Sequence, residues 1–119
     1  MSEKDTLALM AMLEALDKIE IISAEIESAE QFEKDFKSFD ACLMNFIVAG
    51  EMTLRLSPDF IEKHRDVEWN KIRAFRNMVA HDYFGIDAEK VWDIIKHQLP
   101  ALKIKLKMLM TWQVSSSSR

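Results

Sequence analysis

The chain has 119 residues, of which 49% are apolar and 30% charged, with a net charge of −4. That is long enough to bury one core and too apolar to stay disordered. Two Gly, two Pro and one Cys argue against turn-rich β or α/β architectures, an intramolecular disulfide and a Cys-based zinc site.

The expected class is all-α, because Leu, Ile, Met, Ala, Glu and Lys are good helix formers. A first helix is predicted from about Asp5 to Ala29, where Leu9, Met12, Leu13, Leu16, Ile19, Ile22 and Ile26 recur at three- and four-residue spacing. Ser28 with Gln31 has the form of a capping box for a short segment containing Phe32 and Phe36. A second long helix is predicted from Ser38 to Leu56, with Phe39, Leu43, Phe46, Ile47, Gly50 and Leu54 on its buried side. Gly50 costs about 1 kcal/mol relative to Ala inside a helix, and close helix packing is its expected role. Cys42, between Phe39 and Leu43, is expected to be a buried structural thiol.

Ser57 followed by Pro58 has the cap-and-first-turn pattern of a short helix reaching about Lys63. A third main helix should cover Val67 to His81 and end before Gly85. Asp87 is placed to cap the last helical stretch, with Ile86 and Val91 as a hydrophobic staple. This stretch runs toward Met110, with a kink or break expected near Leu99 because Pro100 removes a backbone donor. The whole reads as an up-and-down bundle of four to five helices. Residues 1–110 form one domain, and 111–119 are expected to be a flexible tail. The N-terminal stretch lacks a basic region followed by an apolar core, and no apolar run approaches the ~20 residues of a membrane span. A cytoplasmic protein without membrane attachment is the expectation.

The charge is unevenly spread. Residues 1–60 hold 13 acidic and 5 basic residues, whereas residues 61–119 hold 7 acidic and 11 basic. A polyanionic partner therefore stays compatible with the acidic total. The chemistry is concentrated at Arg76-Asn77-Met78-Val79-Ala80-His81-Asp82-Tyr83. With Arg73 at 0° and about 100° per residue, Arg76, Asn77, Ala80 and His81 share one polar face with it, and Ile72, Phe75, Met78 and Val79 form the apolar one. Arg binds phosphate without losing its charge, and His moves protons near neutral pH. The i, i+4 spacing of Asn77 and His81 permits a hydrogen bond that would orient the imidazole. In RNA the 2′-hydroxyl is already the nucleophile, so Arg76 and His81 would suffice as catalytic groups, supported by Asn77 and by the positive field of Arg73. One helix offers one His, which points to paired motifs in a two-fold dimer. A plain solvated helix end remains the alternative.

Other constellations are weaker. Lys96, Lys103 and Lys107 lie near one line if the last stretch is a single helix, which would suit an RNA backbone or simply a solvated face. Asp93 and His97 have the spacing of a metal pair without an evident third ligand, so no metal and no cofactor are expected. Trp69, Trp92 and Trp112 are expected to pack rather than stack on bases, and His64 to lie in a loop. Phosphate-loop, dinucleotide-binding, nucleophile-elbow and zincin patterns are absent from the sequence.

The Arg76-(four residues)-His81-Asp82-Tyr83 pattern resembles the R-x4-H-x-Y signature of the HepT-like toxins, a branch of the HEPN superfamily of small helical ribonucleases. Val67–Ile72, Tyr83–Asp87, Val91-Trp92 and Leu99–Leu102 resemble the surrounding family pattern. Ala49-Gly50-Glu51 resembles its Gly-Glu-Ala step, with Met52 in place of the alanine. The resemblance spans about residues 5–109. It implies an all-α HEPN-like bundle that dimerises so that two motifs line one cleft and cleave RNA without metal. It also implies a nucleotidyltransferase antitoxin that adenylylates the motif tyrosine, here Tyr83. The alternative is a non-catalytic helical dimer that binds such a nucleotidyltransferase. Asp82 falls at a position where the family varies; orienting an imidazole and capping the turn are both open to it.

Overall fold

The computed structural model describes the backbone of residues 1–117 and the side chains through Thr111. It is all-α: α1 (Glu3–Ser23), α2 (Ala29–Lys34), α3 (Phe36–Thr53), α4 (Pro58–Lys63), α5 (Trp69–His81), α6 (Ala88–His97) and α7 (Leu99–Ser117), with a 3-10 turn at Tyr83–Gly85. Five of the described helices have ten or more residues, which agrees with a four- to five-helix bundle.

Local chemistry sets most of the boundaries. Ser2, Ser28, Asp35, Ser57 and Asp87 each accept a backbone N–H with the side chain at a helix start, satisfying donors that have no partner within the helix. The capping box at Ser28 is shifted by one position. Ser28 Oγ accepts from the Gln31 amide at 3.1 Å, while Gln31 Oε1 accepts from the Glu27 amide at 3.1 Å. Pro100 produces the expected break: α6 ends at His97, Gln98 is its cap, and α7 begins at Leu99.

Several boundaries differ from expectation. α3 runs from Phe36 to Thr53 rather than from Ser38 to Leu56, so Phe36 belongs to α3 and not to the short segment before it, and Leu54, expected on the buried side, lies exposed just past the helix end. α5 begins at Trp69 rather than Val67. α1 stops at Ser23, where the Ser23 hydroxyl donates to the Glu20 carbonyl at 3.3 Å, rather than at Ala29. Ile26 nonetheless remains buried from the turn that follows. α7 is continuous past residue 110 to Ser117. The expectation of a flexible tail at 111–119 falls mostly on side chains, and at 118–119 on backbone, outside the described residues.

α1 and α3 form the main packing layer. Leu9, Met12, Leu16 and Ile19 of α1 meet Cys42, Leu43 and Phe46 of α3, and all are buried. Phe32 from α2 is fully buried against Phe39 and Trp92, with ring centroids at 5.1 and 5.4 Å. Burying such a ring contributes about 1.5–3 kcal/mol. Trp69 is buried beside Phe60 and donates from Nε1 to the His64 carbonyl at 2.9 Å. Trp69 and Trp92 are thus packing residues, as expected; the side chain of Trp112 is outside the described set.

Asp5, at the start of α1, accepts from the Ser57 amide at 2.6 Å and the Ser57 hydroxyl at 2.7 Å, just beyond the end of α3. α1 and α3 therefore run antiparallel. Burial alone would raise the Asp5 carboxyl, but the Ser57 and Ser2 hydrogen bonds outweigh it and hold the group below its usual range. No described helix is long and apolar enough to cross a membrane.

Candidate active site

α5 lies antiparallel on α3 along a line of three contacts. Arg73 Nε donates to Thr53 Oγ1 at 3.1 Å, and its Nη2 donates to the Thr53 carbonyl at 2.8 Å. One turn later, the stem of Arg76 crosses Gly50. At the far end, the Tyr83 hydroxyl donates to Asp40 Oδ1. Phe75 adds an edge-to-face contact with Phe46, at a centroid distance of 4.8 Å.

Gly50 explains how Arg76 comes so near. A Cβ at position 50 would stand 2.2 Å from Arg76 Cβ and 2.6 Å from its Cγ. The absent side chain is what admits the arginine stem. Glu51, the next residue on α3, forms an ion pair with Arg76 Nη2, and Asn77 Oδ1 accepts from Nη1 at 3.0 Å. Arg76 Nε is buried and has no hydrogen-bond partner. The arginine side chain is 26% exposed, so its fork is fixed in place and still reaches solvent.

His81 is the last residue of α5 and is exposed. The expected Asn77–His81 hydrogen bond does not form: the Asn77 oxygen accepts from the adjacent arginine, and no side chain among the described residues hydrogen-bonds the imidazole. Arg73 also differs from expectation. Its guanidinium clasps the C-terminal end of α3 instead of projecting over the motif face, because the Thr53 carbonyl there has no partner within the helix.

Asp82 leaves the helical conformation at φ −144° and caps α5 by donating its amide to the Met78 carbonyl. Its carboxylate packs against Gly85, where a Cβ would lie 2.3 Å from Oδ2. Asp82 therefore shapes the turn that presents Tyr83. Donation to Asp40 first, then burial and the Asp40 charge, raise the Tyr83 hydroxyl above its usual value; it stays protonated at neutral pH.

Sequence reasoning missed Asp40 and Thr53 and gave Glu51 no role. Asp40 and Glu51 are eleven residues apart, about three helical turns, and therefore share one face of α3. That spacing was visible, but the partners lie elsewhere in the chain. Met44 lies between them on the same face and is exposed. Together with Tyr83 and Phe84, which is 97% exposed, it gives the motif apolar, solvent-facing surroundings.

The lysine stripe does not exist. Because α6 and α7 are separate helices, Lys96 sits 4.5 Å over the Trp92 ring, whereas Lys103 pairs with Asp17 and Glu20 of α1. Both carboxylates hold the Lys103 ammonium above its usual range. Asp93 and His97 are exposed and 3.8 Å apart, and no cluster of three metal-ligating groups occurs among the described residues.

A cavity of 690 Å³ opens on the other flank of α5, where Phe75 and Met78 face Ile94, Leu99 and Leu102. None of Arg73, Arg76, Asn77, His81 or Tyr83 lines it. The cavity is apolar and separate from the motif, which lies on open surface. In a single chain that surface presents one clamped guanidinium and one free imidazole, enough to bind a phosphodiester and move one proton.

The family Ribonuclease HepT-like matches residues 12–109. A protein of Thermococcus cleftensis whose name reads probable ribonuclease HepT is 32% identical, over 91% of this chain and 96% of that one. Two further relatives are named as candidate RNases. One, from Caldanaerobacter subterraneus, is 31% identical over 70% of this chain and 74% of its own. The other, from Methanocaldococcus jannaschii, is 28% identical over 92% of this chain and 100% of its own. No solved structure gave a significant match. With its helical fold and R-x4-H-x-Y motif in place, the chain belongs to the ribonuclease HepT-like family.

Proposed function

We propose that this protein is an endoribonuclease that needs no metal ion, acts as a homodimer, and serves as the toxin of a toxin–antitoxin pair. The observation that carries the reading is the pairing of a clamped Arg76 with an unencumbered His81 on one open helix face, within a ribonuclease HepT-like chain. His81 takes the proton of the ribose 2′-hydroxyl, whose oxygen bonds to phosphorus as the bond to the 5′-oxygen breaks. Arg76 stabilises the charge that gathers on the non-bridging oxygens. The leaving oxygen needs a proton, and the imidazolium of a second copy supplies it across a two-fold axis. The products are a 2′,3′-cyclic phosphate and a 5′-hydroxyl. Exposed Met44 and Phe84 beside the motif suit burial in such an interface.

The proposed antitoxin is a nucleotidyltransferase that adenylylates Tyr83. The tyrosine oxygen attacks the α-phosphorus of ATP, pyrophosphate leaves, and the hydroxyl proton passes to a base of the partner. The adduct places a bulky anion two residues from His81 and repels RNA phosphates.

The decisive experiment is RNA cleavage in excess chelator by wild type, Arg76→Ala and His81→Ala, with oligomeric state measured by light scattering. Cleavage by the wild-type dimer alone is expected. Equal cleavage by all three proteins would refute the assignment. A dimer that cleaves nothing yet is adenylylated on Tyr83 would establish the non-catalytic alternative.

A further inference from the structure

From Ala80 to Gly85 every side chain is exposed, and the next buried residue after Val79 is Ala88. The end of α5 that carries His81 is thus held by little packing. Among the described residues, one side-chain hydrogen bond ties this stretch to another helix: that from the Tyr83 hydroxyl to Asp40, 43 residues away in sequence. Two residues span at most about 7 Å, so the point where Tyr83 is fixed limits where His81 can go. The intervening turn transmits the restraint, because Asp82 caps α5 and its carbonyl accepts from the Gly85 amide at 3.1 Å.

We infer that Asp40 is a positioning residue for His81 and acts through the Tyr83 hydroxyl. The inference rests on the reading of Arg76 and His81 as the site. α3 then aligns both halves of the site from one face, with Glu51 setting the guanidinium and Asp40 setting the imidazole three turns away. A regulatory consequence follows. Any anionic group attached to the Tyr83 oxygen removes the proton that makes the bond and sets like charge against Asp40. Modification of Tyr83 would then release the turn and displace His81, in addition to blocking the surface.

The test compares Asp40→Ala, Tyr83→Phe, Asp40→Asn and the Asp40→Ala/Tyr83→Phe double variant, with two readouts: steady-state RNA cleavage, and the ring resonances of His81 recorded without RNA. Asp40→Ala and Tyr83→Phe should each lower kcat about tenfold or more, as expected for a misplaced catalytic group, with KM little changed. The double variant should be no worse than either single one. Asp40→Asn keeps an acceptor oxygen and should restore most of the rate. The His81 resonances should shift in the first two variants and return toward wild type in Asp40→Asn. Unchanged resonances and unchanged kcat in Asp40→Ala and Tyr83→Phe, while His81→Ala is inactive, would overturn the inference alone. Full cleavage by His81→Ala would instead overturn the assignment of the site, and the resonances would still decide whether Asp40 positions the imidazole.

Discussion

Replacing Gly50 by alanine sets a methyl group 2.2 Å from Cβ and 2.6 Å from Cγ of Arg76, with the Ile72 carbonyl at 3.4 Å. The carbonyl is in ordinary contact; the clash is with the root of the arginine, whose Cβ is fixed to the α5 backbone, so no rotamer change relieves it. α5 must move off α3 by about 1 Å to reach ordinary contact in a close-packed interface. Alanine gains about 1 kcal/mol of helix propensity over glycine, while forcing a group into a packed interface costs about 1–3 kcal/mol. The net expectation is a loss of about 0–2 kcal/mol in stability. Activity should suffer more, because a displacement of about 1 Å at a catalytic group costs about 100-fold. Urea denaturation of Gly50→Ala, paired with single-turnover RNA cleavage, measures both effects. A variant that is more stable by the full propensity gain and cleaves at the wild-type rate would refute the close-approach argument. The stability half of the test holds whatever the substrate.

Two other predictions follow from the charge and thiol chemistry. Asp5 is depressed in the folded protein, so its contribution is present above its unfolded value near 3.8 and is lost as pH falls through the lower folded value. Asp5→Asn should cost about 1–3 kcal/mol at pH 7. In urea titrations the gap between variant and wild type should narrow below about pH 4; a gap independent of pH would contradict the assignment. Cys42 is fully buried, and burial, then the nearby Asp35 charge, pushes its thiol up to about 11. A disulfide reagent at pH 8 should leave it unmodified until urea unfolds the chain, and rapid labelling of the native protein would exclude this packing.

The parts of the fold that were legible in the sequence depend on neighbours along the chain. Ser57-Pro58, Asp87 and Pro100 act on backbone groups within four residues, and each marked its boundary. The overextended first helix shows where periodicity misleads. Ile26 continues the apolar spacing because it is buried, not because it is helical. At the site, Arg76, His81 and Gly50 could be singled out from their own chemistry. What they touch could not. The Asn77 oxygen accepts from the adjacent Arg76 rather than from His81. The Arg73–Thr53 and Tyr83–Asp40 contacts cross 20 and 43 residues, and spacing along one helix carries no trace of them. The lysine line failed because Pro100 split the helix on which it was drawn.

The open apolar flank of α5 has a consequence for how the protein's integrity should be judged. Only Trp69 and Val79 of this helix are buried, whereas α1 and α3 share the bulk of the core. Local opening free energies follow such differences in burial. The amides of α5 should therefore exchange with solvent through a partial detachment that leaves the α1–α3 layer intact. Global melting reports that layer, so a normal melting curve certifies the scaffold and not the helix bearing Arg76 and His81. Amide exchange resolved along α5 would measure the second quantity directly. A second copy covering this flank or the motif face would slow that exchange, coupling assembly to the order of the site itself.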